Sequence, residues 1–436
     1  MVSVLVAAGV VFVTVDTRPA SALLSFPEMA PPKAPGAPEG LDADAPAVDA
    51  DALAAELDPL INGGSLKGKT TATVLDGFTG ESLYASQGDK AATPASSTKV
   101  ATAAAALTAR GPAYRIPTKV VEGESEGEVV LVAGGDVMLS KDGDGFFRGA
   151  ASLADLAEQV KKAMGDKQIT KLVVDMSIFA DDPVAPGVPA ADVASGYTAK
   201  LEPIMLDGGR SGPDPGSRAA RHDDPSAAVT DALSELLGGV EVAEGTAKKD
   251  AAELGVVHSP TMQRLAEFAL VTSDNLLADA LARQTALAKD KDASFAGGVE
   301  ATIDVLSDMD VPMDGVELSD NSGLSLDNRL TSDALAAVVY QAANGKHTAA
   351  SGILAGFPVS GYSGALDDRY DDADVVGKVH AKTGTLTTVN SLTGMTVTKE
   401  GRLLAFSIIF NGKGNGPDVE AAIDEVASTL SRCGCA

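Results

Sequence analysis

Three short stretches of this sequence combine residue types and spacings that can do chemistry. In "TPASSTKVATAAAAL" (Thr93 to Leu107), Ser96 and Lys99 stand three positions apart, which on a helix puts them on one face, a turn apart. Ser97 is only two positions before the lysine and points elsewhere. An uncharged amine beside a serine hydroxyl can take its proton and turn the oxygen into a nucleophile. Lys99 leads into an almost wholly apolar run, where an ammonium is costly to bury unless paired or neutral. Burial and a neighbouring cation both push a lysine's pKa down. "TSDNLLADAL" offers Ser273 and Asn275, two apart on a connector between helices, so both can face one cleft. "HAKTGTL" offers Lys382, Thr383, Gly384 and Thr385 on a strand. An ammonium and threonine hydroxyls suit a carboxylate, and the glycine lets another backbone come close. Each stretch alone has a plainer reading: a solvated helix start, a helix cap, or an edge strand guarded by a lysine.

The surrounding elements tell where these stretches sit. "TTATVLDGFTGESLYASQG" (Thr70 to Gly88) reads as two strands around a turn, followed by the Ser96 helix, which "RGP" (Arg110 to Pro112) stops. Near the other end, Gly377 to Leu386, Val389 to Thr398 and Arg402 to Phe410 read as three strands. A closing helix follows, started by Pro417 and apolar at Val419, Ile423, Val426 and Leu430. Two early and three late strands can form one antiparallel sheet carrying both terminal helices. The middle then becomes an insertion. It contains a strand over Gly127 to Leu139, a helix over Ser152 to Gly165, a strand over Lys171 to Phe179 and a helix over Asp224 to Gly239. After it the chain returns to a helix with Ser259 as cap and Pro260 in the first turn.

The fold class expected is α+β: a five-stranded antiparallel sheet flanked by helices, with an inserted α+β module. Residues 58–117 and 255–431 make the discontinuous main domain, 118–254 the module and 432–436 a tail. Residues 1–22 read as a secretory signal or N-terminal anchor, from the apolar "MVSVLVAAGVVFVTV" and the small residues Ala20-Ser21-Ala22, although the first cation is Arg18. Residues 23–57 read as a Pro/Ala/Asp-rich tether holding the folded part away from a membrane or leader. The net charge of −27 argues against nucleic acid as a partner. Four scattered histidines give no zinc spacing, so no metal or cofactor is expected. Cys433 and Cys435 allow either a local or intermolecular disulfide or an unstructured tail.

Ser-x-x-Lys, Ser-x-Asn and Lys-Thr-Gly, in that order, resemble the signature of the penicillin-recognising serine enzymes. "DNSGLSLDNRLT" (Asp320 to Thr331) and "FPVSGYSGAL" (Phe357 to Leu366) look like one branch, the class C low-molecular-mass penicillin-binding proteins. These are D-alanyl-D-alanine carboxypeptidases and endopeptidases. The resemblance runs from about Asp58 to Ser431. The 177 residues from Ser96 to Ser273 leave room for the insertion, which class A β-lactamases lack; their Glu-x-x-Leu-Asn is also absent, since no Leu-Asn dipeptide occurs.

The resemblance implies the fold named above and an acyl transfer at a D-Ala-D-Ala peptide bond in peptidoglycan stem peptides. Ser96 is then the nucleophile and Lys99 its proton acceptor. Lys382 helps keep Lys99 neutral and attracts the terminal carboxylate. Ser273 relays a proton to the leaving amine, and Asn275 orients Lys99 and bonds the peptide. Backbone N–H groups of Ser96 and Thr385 form the oxyanion hole, and Thr383 and Thr385 hydroxyls hold the carboxylate. β-Lactams become covalent inhibitors, and the work is done outside the cytoplasmic membrane, with a membrane tether through the N-terminus as one arrangement. "VVDMSIF" looks like the segment that reaches the substrate's diamino-acid side chain, making Asp175 an anionic partner for its ammonium; a strand-end turn is the alternative. The "AGGDVML" stretch is structural. The competing functions are a non-catalytic cell-wall scaffold of the same fold and a β-lactamase.

Overall fold

The computed structural model describes residues 2–7, 10–15, 44–180, 182–212, 219–370, 372–413 and 416–435. It divides into two units, Met1–Leu41 and Asp42–Ala436. In the first, Val2–Ala7 pairs antiparallel with Val10–Val15. Ala20-Ser21-Ala22 and most of the expected tether lie outside the described residues. Among the described residues no helix is long and apolar enough to cross a membrane.

The second unit is organised by a five-stranded antiparallel sheet in the order His380–Leu386, Val389–Val397, Leu403–Asn411, Thr70–Asp76, Ser82–Ser86. The first and last thirds of the chain meet where Leu403–Asn411 pairs with Thr70–Asp76, with Phe406 opposite Val74 and Ile408 opposite Ala72. Side chains alternate across a strand, so this seam feeds two cores. Ala72, Val74, Phe406, Ile408 and Phe410 face the helices Ala50–Ile61 and Pro417–Arg432. Ala405 and Ile409 face the opposite core, built by the helices Thr98–Arg110, Met262–Val271, Asn275–Ala288 and Ser332–Ala343. Alanine dominates the Thr98–Arg110 helix, which lets it lie at the centre with every residue from Thr98 to Leu107 buried.

The expected tether to residue 57 gives way at Ala50 to a helix capped by Asp49, whose carboxylate accepts from Ala52 N. Leu53, Leu57 and Ile61 recur every four residues and are fully buried. Such side chains stabilise by about 1.5–3 kcal/mol each, a stripe that the Pro/Ala/Asp composition conceals. The expected tail is likewise ordered. The last helix runs to Arg432, and Cys433 and Cys435 are buried and joined as a disulfide. Their carbonyls accept from Lys399 N and Asp49 N, which ties the two ends of the unit together.

The insertion has its own sheet, ordered Glu241–Glu244, Lys171–Asp175, Glu128–Val132, Arg115–Glu122, Glu253–Thr261. The first three strands are parallel and the rest antiparallel. The helices Leu153–Met164 and Pro225–Leu237 fill its core. The strands Arg115–Glu122 and Glu253–Thr261 straddle the expected limits of 118 and 254. Glu253–Thr261 runs through Ser259 and Pro260, which were expected to start a helix. Pairing with Arg115–Glu122 overrides that local signal, and the edge position tolerates the proline. Ser259 accepts from Ile116 N instead, and Thr261 caps the helix Met262–Val271. The expected single strand 127–139 breaks at Gly134-Gly135 into Glu128–Val132 and Asp136–Leu139, and the next one ends at Asp175.

Candidate active site

Ser96 lies in a single 3-10 turn, Ala95–Ser97, that leads into the helix Thr98–Arg110. Ala95 has φ 50°, a left-handed conformation disfavoured for a residue with a Cβ. Its carbonyl is held from two sides. Thr98 donates to it at 2.8 Å, and a Cβ on Gly323 would lie 1.9 Å away, so only glycine fits there. The Ser391 hydroxyl donates to Pro94 O at 2.7 Å, and the buried Ser97 hydroxyl, 2.8 Å from it, then donates to Ser391. Ser97 is thus occupied in holding the turn, while Ser96 is partly open to solvent.

Lys99, one turn on, is 1% exposed. Its Nζ donates to Ser96 Oγ (2.9 Å), Asn275 Oδ1 (2.6 Å) and Ser322 O (2.5 Å). Burial pushes its pKa down to about 8, against the pull of the Asp320, Asp279 and Asp274 carboxyls. Asp279 opposes this weakly, because burial and then the Asp320 charge push its own pKa well up, towards the neutral acid. Asp320 organises the loop that presents the Ser322 carbonyl, accepting from the backbone of Ser322, Gly323 and Ser325 and from the side chains of Ser322 and Asn328.

Ser273 has φ 57° at the corner between the helices Met262–Val271 and Asn275–Ala288. Asp274 caps the second helix through Leu277 N and forms a buried ion pair with Arg210 at 3.1 Å. Asn275, the first residue of that helix, accepts from Lys99 and donates to Tyr197 O at 2.9 Å. Ser273 and Asn275 line one cleft, whose far wall comes from the insertion: Phe146, Tyr197, Arg210 and Arg221.

Lys382 is 1% exposed on the edge strand of the main sheet, and its Nζ donates to Thr383 O at 2.7 Å. Burial first, and then the charge of Lys99, pushes its pKa well down. The dominant cause of Lys99's depression is therefore burial, and the mutual repulsion expected between the amines shows on Lys382. Gly384 explains how the strand reaches the nucleophile. A Cβ there would stand 2.3 Å from Ser391 Oγ, 2.7 Å from Pro94 O and 3.0 Å from Ser96 N. The Thr385 hydroxyl donates to Asn390 Oδ1 at 3.1 Å, and Thr383 is buried beside Lys382.

The three motif stretches thus meet: Lys99 bonds Ser96 and Asn275, and Gly384 packs on the Ser96 turn. Asp175 is placed elsewhere. It ends the strand Lys171–Asp175, where one carboxylate oxygen accepts from Ser177 N and Oγ and the other from Ala247 N. The Ser322 carbonyl, Tyr197 carbonyl and Arg210 escaped the sequence reading. "DNSGLSLDN" held a usable signal in its glycine, whereas Arg210 contacts Asp274 from 64 residues away with no local mark. A partly open hydroxyl bonded to a buried amine of lowered pKa can give up its proton to that amine.

The D-Ala-D-Ala carboxypeptidase 3 (S13) family profile matches residues 53–221 and 214–430. A carboxypeptidase of Mycobacterium tuberculosis is 37% identical over 381 residues, 84% of this chain and 81% of that protein. A D-alanyl-D-alanine carboxypeptidase of an Actinomadura species is 28% identical over 95% of this chain and 90% of its own length. Penicillin binding protein 4 of Haemophilus influenzae shares the fold, with TM-score 0.71 at 19% identity over 89% of this chain and all of that one; a second structure of it holds a β-lactam. The chain belongs to the D-Ala-D-Ala carboxypeptidase 3 (S13) family and is a serine-type D-Ala-D-Ala carboxypeptidase.

Proposed function

We propose that Ser96 is the nucleophile and Lys99 the base of a carboxypeptidase/endopeptidase acting on peptidoglycan stem peptides. The observation that carries this reading is the buried Lys99 amine, 2.9 Å from Ser96 Oγ and lowered to about 8. Ser96 Oγ attacks the penultimate D-Ala carbonyl as its proton passes to Lys99. Backbone N–H groups of Ser96 and Thr385 hold the developing oxyanion, each such donor being typically worth about 3 kcal/mol. Ser273 passes a proton to the departing amine, the C–N bond breaks, and D-Ala or the cross-linked chain leaves. Water then opens the Ser96 ester.

Lys382, with the hydroxyls of Thr383 and Thr385, takes the substrate's terminal carboxylate. Burial and then the charge on Lys99 disfavour a proton on Lys382. An arriving carboxylate favours it, and the cation so formed lowers the Lys99 pKa further when the base is needed. β-Lactams, which mimic the dipeptide, acylate Ser96. The enzyme works outside the cytoplasmic membrane, and residues 1–22 are its signal or anchor, with the spacer following from 23 and ending before the packed residues Ala45 and Val48.

Digestion of a defined pentapeptide muropeptide and its cross-linked dimer tests this reading. Product masses are expected to show loss of one D-alanine or splitting of the dimer, with a lasting penicillin adduct on the protein. Unchanged masses and no adduct point to a scaffold; rapid release of hydrolysed penicillin points to a β-lactamase.

A further inference from the structure

We propose that Arg210, supplied by the inserted module, is a positioning residue for the Ser273–Asn275 corner and sets the electrostatic environment of the base through Asp274. The inference rests on the assignment of Lys99 as base.

The corner is an awkward piece of backbone. Ser273 sits at φ 57°, a conformation that persists for a residue with a Cβ only when its surroundings enforce it. Asp274 provides the enforcement from two directions. One carboxylate oxygen accepts from Leu277 N and starts the next helix; the other accepts from Arg210 at 3.1 Å. Both side chains of this pair are 3% exposed, so neither charge has water to fall back on.

Arg210 is itself braced by the module. Its guanidinium lies 3.8 Å from the Phe146 ring centroid and donates to Asp207 O. Arg221 stands alongside, donating to Gly208 O at 2.7 Å and to Gly196 O. Next to Gly196, Tyr197 gives its carbonyl to Asn275 Nδ2. The module therefore grips the corner at Asp274 and at Asn275, and Asn275 holds Lys99.

The charges around Lys99 come from four groups on three elements. They are Asp320 on its loop, Asp279 on the helix Asn275–Ala288, Asp274 at that helix's cap, and Lys382 on the edge strand. Arg283 acts on Asp279, and Arg210 and Arg221 act on Asp274. Of these pairings, only Arg210 with Asp274 carries the module's charge to the base through a direct ion pair. Removing the cation leaves a bare carboxylate near Lys99, kept ionised by Arg221, and favours the ammonium. Removing the carboxylate while keeping the cap does the opposite.

The test is the pH dependence of penicillin acylation of the full chain, for wild type, Arg210→Met, Arg210→Lys, Asp274→Asn and the Met/Asn double variant, each first checked for a cooperative melt. The limb that rises with pH is expected to move up by about half to one unit in Arg210→Met and down by a similar amount in Asp274→Asn. It is expected near the wild-type position in the double variant and in Arg210→Lys. Asp274→Asn keeps both its cap and its shape, so its shift decides the matter even if Arg210→Met does not fold. Acylated single variants whose limb stays at the wild-type position, with only the rate reduced, overturn the inference while leaving the base assignment intact. A wild type that penicillin does not acylate overturns both.

Discussion

Lys99→Arg is expected to slow acylation of Ser96 by about 10³- to 10⁴-fold, near the upper limit for general-base catalysis. The substitution keeps a long basic side chain on the same helix face. It removes the one property the mechanism needs, because a guanidinium does not surrender its proton in a protein. Lys99 occupies a site that can hold a neutral amine: its two hydrogens meet Asn275 Oδ1 and Ser322 O at 2.6 and 2.5 Å, and its lone pair is left for the Ser96 hydroxyl at 2.9 Å, which can turn its own hydrogen to the amine. Loss of penicillin labelling, measured by intact mass alongside an unchanged melting profile, checks it. An arginine variant that labels at the wild-type rate removes Lys99 from the base role.

Ser96→Ala is expected to abolish both the penicillin adduct and D-alanine release, whereas Ser97→Ala keeps both. The two serines are adjacent, and the geometry gives them opposite duties. Ser96 Oγ meets the Lys99 amine at 2.9 Å and is partly open. Ser97 is fully buried and linked to Ser391. Its alanine variant loses a buried hydroxyl pair, a cost of about 1–3 kcal/mol in stability, and leaves the reacting oxygen in place. Peptide mass mapping of the adduct separates the cases. An adduct carried by Ser96→Ala moves the nucleophile elsewhere.

The parts of the fold that could be read from the sequence are those in which local pattern and tertiary position agree. The five strands of the main sheet fall on short β-prone runs separated by turn residues, and Gly111, at φ 83°, ends the Thr98–Arg110 helix beside the expected Arg-Gly-Pro stop. The chemistry-bearing stretches were legible because each is contiguous: Ser96 with Lys99, Ser273 with Asn275, Lys382 to Thr385. What was hidden depends on contacts between distant segments. The Ala50–Ile61 helix looks like a tether until its three-residue stripe meets the underside of the sheet. Ser259 looks like a cap until Arg115–Glu122 claims its strand. Lys99 owes part of its environment to a carbonyl, Ser322 O, and carbonyls leave no trace in residue type. Arg210 is one of many arginines until Asp274 folds against it.

The state of Lys99 is best measured directly. Selective isotope labelling of lysine with NMR detection of the side-chain amines, compared between wild type and Lys99→Arg to assign the signal, gives its titration in the free enzyme. A midpoint near 8 is expected, more than two units below the ordinary value of 10.5. A midpoint at the ordinary value means that the amine is a permanent cation at neutral pH, and that contradicts proton transfer from Ser96 to Lys99.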